Sequence, residues 1–166
     1  ATGKLSSALL VKNKKDIKLQ LVNFAKRTTG NIENYGVVLK DGKLMIDAIG
    51  KIVKGASRSE SHQSSRAMSF ASGQSTTILP ELLIDENDVQ ASHAMSIGRV
   101  DENQLYYMMS RGLSVEACTA LISTGYLMPI TRVLEDKELS EKLTKEMERK
   151  MQYHKPITKQ KFLKDL

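Results

Sequence analysis

Alternation dominates the first hundred residues. In the stretch DIKLQL, Ile17, Leu19 and Leu21 fall on one side and Lys18 and Gln20 on the other, the period of a half-buried strand. Residues 35–53, YGVVLKDGKLMIDAIGKIV, read as two more short strands about a turn at Asp41-Gly42, whose glycine accepts positive φ. Ile52 with Val53, the AMSF segment ending at Phe70, and ELLI after Pro80 are further strand candidates. Short strands between polar turns, with almost no helical period, predict an all-β body. No strict repeat is present, so periodicity alone does not specify a solenoid.

At Asp101 the period changes to that of helices. Asp101 can cap a helix, with Gln104 returning the bond, and Leu105, Met108 and Met109 share its face. Gly112 suits the αL residue that ends this helix. Leu113 and Ser114 open a second helix striped by Ala117, Cys118, Leu121 and Ile122, which Gly125 is expected to close. Pro129 suits the first turn of a short third helix, and a charged helix carries Leu139, Leu143, Met147 and Met151 at four-residue steps. The expected organisation is a β body over 1–100, a helical region over 101–153 and a poorly ordered tail over 154–166.

Composition adds limits. The 166 residues, 40% hydrophobic and 27% charged, suffice for one domain or slightly more with a real core. No apolar run approaches the roughly 18 residues that span a bilayer. The apolar stretch at the N-terminus precedes its basic cluster, the reverse of a secretory signal. A single cysteine, Cys118, excludes an internal disulfide and fits a reducing compartment, so the expected location is cytoplasmic. The net charge of +6 lies in the two ends: +6 over residues 1–30, −3 over 31–130 and +3 over 131–166. Such ends read as solvated surface, and Phe24 is the only aromatic residue of the first thirty, so base stacking has no platform there. Nucleic-acid binding through Lys12, Lys14, Lys15, Lys18, Lys26 and Arg27 is carried as the alternative function.

Known catalytic patterns are missing. There is no glycine-rich phosphate loop, CxxC pair, HExxH or GxSxG, and His62, His93 and His154 are scattered. The helical stripe points Cys118 into a core, the place of a structural thiol. A non-enzymatic role is expected. Residues 55–77 hold eight serines, which on composition read as a flexible linker. The competing reading is a polar β rung with Ala67, Met68 and Phe70 inward.

From Pro80 onward a set of residue types recurs in a familiar order: Leu82, Ile84, Asp88-Val89, Ser92-His93, Asp101-Glu102, Leu105-Tyr106-Tyr107-Met108, Ser110-Arg111-Gly112 and Gly125-Tyr126. Over about fifty residues this resembles the C-terminal core of the SufB/SufD family, scaffold proteins of SUF iron–sulfur cluster assembly. Upstream, Gly50 and the serine-rich stretch with Gln63 resemble family rungs more weakly; the charged tail has no counterpart. The resemblance implies a right-handed parallel β-helix followed by a small helical region, and it replaces the linker reading of 55–77 with a rung. Family members are longer, which implies a C-terminal portion or a short paralogue, one form of which would be an inactive truncation. The SufB-like branch has cysteine after the rung glutamine and His-Glu-Ala in the last rung; Ser64 and Ala94 stand there, which implies a SufD-like chain.

Read from the residues alone, His93 on an alternating strand is a structural histidine. The resemblance implies instead that it helps build the cluster at the contact with a SufB-type partner, as one ligand of a transient, shared site. No stably bound cofactor is expected, because a cluster normally needs thiolates. The resemblance also implies docking of the SufC-type ABC ATPase on the helical region, whose motif residues are Tyr106, Tyr107, Arg111 and Gly112. Arg111, read alone, complements the negative end of its helix. A homodimer through the open end of the β-helix is expected in isolation.

Overall fold

Seven strands of nine to eleven residues make up the first hundred residues, β1 (Thr2–Val11), β2 (Lys14–Asn23), β3 (Thr29–Val38), β4 (Lys43–Ile52), β5 (Ser59–Ser69), β6 (Thr76–Ile84) and β7 (Val89–Arg99), and alternating burial is clearest in β3, β4 and β5. They belong to a computed structural model that describes residues 1–70, 75–134 and 136–151, side chains at 147, 148 and 151 set aside. Sequence neighbours do not pair. The odd strands stack as β1-β3-β5-β7 and the even ones as β2-β4-β6, every pair parallel. Thr2 lies beside Thr29, and Thr29 beside Glu60, so each coil takes roughly thirty residues. The result is a parallel β-helix of about three turns, as the family resemblance implied.

Inward positions carry the core: Val11, Ile32, Val38, Leu44, Ile46, Ala48, Ala67 and Ile78, with Leu5, Leu9, Ile17, Leu19 and Leu21 packed against them. One column is polar and self-satisfied. Ser7 donates to Asn34 Oδ1 at 2.6 Å, and Asn34 Nδ2 donates to Ser65 Oγ at 2.9 Å, across three successive strands. The serine-rich segment is therefore a rung. Ser59, Ser61, Gln63, Ser65, Ala67 and Ser69 are its buried inward side chains, small enough for a narrow interior. Composition alone, which favoured a linker, misses this because a low apolar content is compatible with burial once neighbouring rungs supply the partners.

Several local expectations change. β1 carries no clear alternation in its sequence; it forms because β3 provides its pairing partner. The turn at Asp41-Gly42 joins β3 to β4 as expected, but as a corner between two sheets, since β3 and β4 do not pair. Gly42 is not at positive φ. Its role is close approach: a Cβ there would lie 2.5 Å from the Val11 carbonyl oxygen and 2.9 Å from Val38 Cγ1. Ile52 ends β4 rather than starting a strand with Val53. Left-handed backbone appears at the corners instead, at Arg27 (φ 56°), Gly55 (φ 92°) and Arg58 (φ 60°).

By its internal contacts the chain divides between Arg99 and Val100. In the second unit α1 (Glu102–Ser110) is capped by Asp101, whose carboxylate accepts from Asn103 N at 2.9 Å. α2 (Val115–Leu127) is capped by Ser114, which accepts from Ala117 N at 3.1 Å. It runs through Gly125, which therefore does not close it. Its buried side chains are Cys118, Ser123 and Leu127, while Leu121, expected on the packed stripe, is 56% exposed. A 3-10 helix (Met128–Val133) follows with Pro129 in its first turn, then α3 (Lys137–Met151), where Leu139 is exposed and Leu143 half-buried. The expected tail at 154–166 lies outside the described residues.

Candidate functional site at the open end of the beta-helix

The two sheets end at different levels. β6 closes one sheet and β7 the other, one strand further on, so among the described residues β7 is paired along one edge only, with β5. Val89 is half-buried and every other residue of β7 is exposed. Register partners in a parallel sheet project on the same face, so inward and outward positions of β7 can be read from β5.

His93 is the register partner of Gln63, above Ile32 and Leu5 in the same column. It therefore stands on the inward face of the last strand, with Ala91 and Met95 two residues to either side. Gln63 is the floor beneath it, 4% exposed. Its Nε2 donates to the Glu81 carbonyl oxygen of β6 at 2.8 Å, while its Oε1 is buried without a protein partner. An unmet buried acceptor costs about 1–3 kcal/mol unless a donor reaches it. Room for this amide comes from Gly50: a Cβ there would lie 2.5 Å from Ser61 Oγ and 2.7 Å from Gln63 Nε2. Sequence pattern singles out His93 but not Gln63 as a site residue. The missing signal is the register, which joins residues 30 apart.

Ser64 and Ala94, the two departures from the SufB-like pattern, are themselves register partners on the outward face. Beside them His62 Nδ1 lies 2.7 Å from Ser92 Oγ, and His62 Nε2 lies 3.6 Å from the Glu60 carboxylate, tying β7 to β5 from outside. A cavity of about 420 Å³ adjoins this edge at the corner where Arg58 and Asp88 approach to 3.5 Å.

The remaining motif residues belong to the helical unit. Tyr106 and Tyr107 are 75% and 57% exposed, and the Arg111 guanidinium lies 5.2 Å from the Tyr107 ring centroid. α1 ends in a Schellman turn: Leu113 N donates to Met108 O at 3.3 Å and Gly112 N to Met109 O at 2.9 Å, with Gly112 at φ 92°. The pattern thus brings together Tyr107, Arg111 and Gly112, while His93 belongs to the β-helix. Cys118 is buried and free, and desolvation raises its thiol pKa, which disfavours a thiolate. No group of three or more His, Cys, Asp or Glu among the described residues is placed to hold a metal ion.

The basic residues of the alternative reading are partly engaged. Lys14 pairs with Asp16 at 2.9 Å and Lys18 with Asp47 at 3.0 Å, a hydrogen bond that holds the Lys18 ammonium above its usual pKa. Arg27 is a corner residue at φ 56° whose backbone N–H donates to Ser57 O at 3.0 Å. No helix among the described residues is long and apolar enough to cross a membrane.

Comparison with known proteins agrees with this geometry. Residues 1–126 match the family described as SUF system FeS cluster assembly, SufBD core domain. The iron–sulfur cluster assembly protein SufD of Bacillus subtilis is 39% identical over 132 residues, covering 80% of this chain and 30% of that protein. SufB of the same organism is 31% identical over 134 residues, 78% of this chain and 28% of the relative. A SufBD family protein of Pyrococcus horikoshii is 35% identical over 98 residues, 55% and 22% respectively. The chain thus spans less than a third of the length of these relatives. The match of residues 1–126 to the SufBD core, on a parallel β-helix and with 39% identity to a SufD, places the chain in the SufB/SufD family, on the SufD-like side.

Proposed function

We propose that the chain is a non-enzymatic scaffold component of iron–sulfur cluster assembly, SufD-like, working with a SufB-type scaffold and a SufC-type ABC ATPase in the cytoplasm. The observation that carries the reading is His93: an imidazole on the inward face of a last strand paired along one edge only, above a polar floor. An imidazole nitrogen suits iron, and a lone one can supply one ligand while a partner supplies thiolates. The cluster is then a transient cargo shared across the contact, and no stably bound cofactor is required.

The free edge of β7 supplies backbone donors and acceptors for a partner strand, so the open end is the pairing surface. In isolation the same edge pairs two copies of the chain. Tyr106, Tyr107 and Arg111 form an exposed aromatic and cationic patch suited to docking the ATPase, with Gly112 fixing the turn behind them.

Co-expression of the tagged chain with SufB-type and SufC-type proteins tests this. Both partners are expected to be retained through a wash at 0.5 M salt, and sedimentation of the chain alone is expected to show a dimer. Loss of both partners, with tight RNA or DNA binding that collapses with salt, would replace the scaffold by the basic surface-binding alternative.

A further inference from the structure

We propose that Gln63 is a positioning residue for His93: its side-chain carbonyl accepts a hydrogen bond from one ring nitrogen and leaves the lone pair of the other facing the open end. The proposal rests on the reading of His93 as a cluster ligand, which it deepens by assigning the tautomer that can serve.

The amide orientation is fixed by its surroundings. Nε2 faces the Glu81 carbonyl at 2.8 Å, and exchanging the two amide atoms would set two acceptors against each other. Oε1 is therefore an acceptor, buried and unpartnered in a residue 96% removed from solvent. Ser65, next along the inward face, is already engaged by Asn34 at 2.9 Å. Directly above Gln63 in the column stands His93, and adjacent strands lie about 4.8 Å apart, so although the two side chains are not bonded in this structure, rotation of the imidazole inward brings a ring N–H to Oε1. Gly50 preserves the arrangement by leaving the amide its space.

A neutral imidazole has one donor and one acceptor nitrogen, and the partner of the donor decides which is which. With Gln63 taking the proton-bearing nitrogen, the bare nitrogen is turned to the end of the β-helix where iron arrives. Carbonyl partners of this kind orient and strengthen histidine ligands, and their loss typically lowers metal affinity 10- to 100-fold.

Long-range proton–nitrogen correlation spectra of the nitrogen-labelled chain test the proposal, with His93 assigned by comparison with His93→Ala. In the parent at neutral pH, His93 is expected as a single tautomer. Gln63→Met keeps length and approximate volume but removes the acceptor; mixed tautomers are expected, with cluster yield in the co-expressed complex reduced about tenfold or more. Ring nitrogen shifts in Gln63→Met identical to the parent would overturn the proposal. Should the methionine variant fail to fold, mixed tautomers of His93 in the parent would overturn it equally. Failure of the underlying reading shows elsewhere: His93→Ala would retain parental cluster yield, whatever the ring spectra report.

Discussion

At the scale of single residues, the β-helix interior is set by what its narrow lumen admits. Gly50 faces Ser61 and Gln63 so closely that any Cβ must displace the polar floor. Gly50→Ala is expected to cost about 1–3 kcal/mol, read as a lower melting temperature, because the obstructing atoms belong to a hydrogen-bonded rung and not to a free side chain. Glu86 shows the other kind of residue effect. Its carboxylate accepts from Gly55 N at 2.8 Å and Asn87 N at 3.0 Å, and these backbone donors lower its pKa, the Gly55 bond most. A lowered folded-state pKa means stability that is complete above the ordinary carboxylate range and lost as pH falls through the lowered value. Glu86→Gln is thus expected to make denaturant midpoints less dependent on pH below that range while changing little of the slope near neutrality. An acid limb identical to the parent's would remove Glu86 from the corner's stability.

At the scale of elements, two helical glycines separate backbone conformation from space. Neither Gly112 nor Gly125 has an atom within 4 Å of a would-be Cβ, yet Gly112 is at φ 92° and Gly125 lies inside α2. Gly112→Val is expected to destabilise the helical unit by about 1–2 kcal/mol through the αL requirement alone. Gly125→Ala is expected to stabilise it by about 0.5–1 kcal/mol, through helix propensity. Thermal melts of the two variants decide this, and a shift of the same sign in both would contradict the assignment. The elements also show what the sequence could reveal. Gly112, Asp101 and Ser114 act through bonds to near neighbours in the chain, so their roles were legible, as were the strands with clear alternation. The end of α2 was not, because tertiary packing carries the helix past a glycine that local rules treat as a stop. Nor was β1, or the composition-level identity of the serine rung, because both depend on strands roughly thirty residues away.

At the scale of the whole molecule, parallel coiling does two things. It stacks residues 30 apart into columns, which is how Gln63 comes to lie under His93 and Ser64 beside Ala94. It also leaves the two sheets at unequal heights, so that the last strand presents an unpaired edge and an inward face together. His93 was legible as a candidate through the family resemblance; the floor under it was not, because coil register is a property of the folded chain. The central claim is that this histidine serves cluster assembly rather than packing. Its exposed strand argues against a large packing contribution, so His93→Ala should leave the fold and partner retention intact. The most direct measurement is iron and acid-labile sulfide in the complex purified anaerobically after co-expression with SufB-type and SufC-type partners, parent against His93→Ala. A several-fold loss of both, with the partners still bound, is the predicted result. Equal iron and sulfide in the two complexes would contradict it and leave His93 a structural residue.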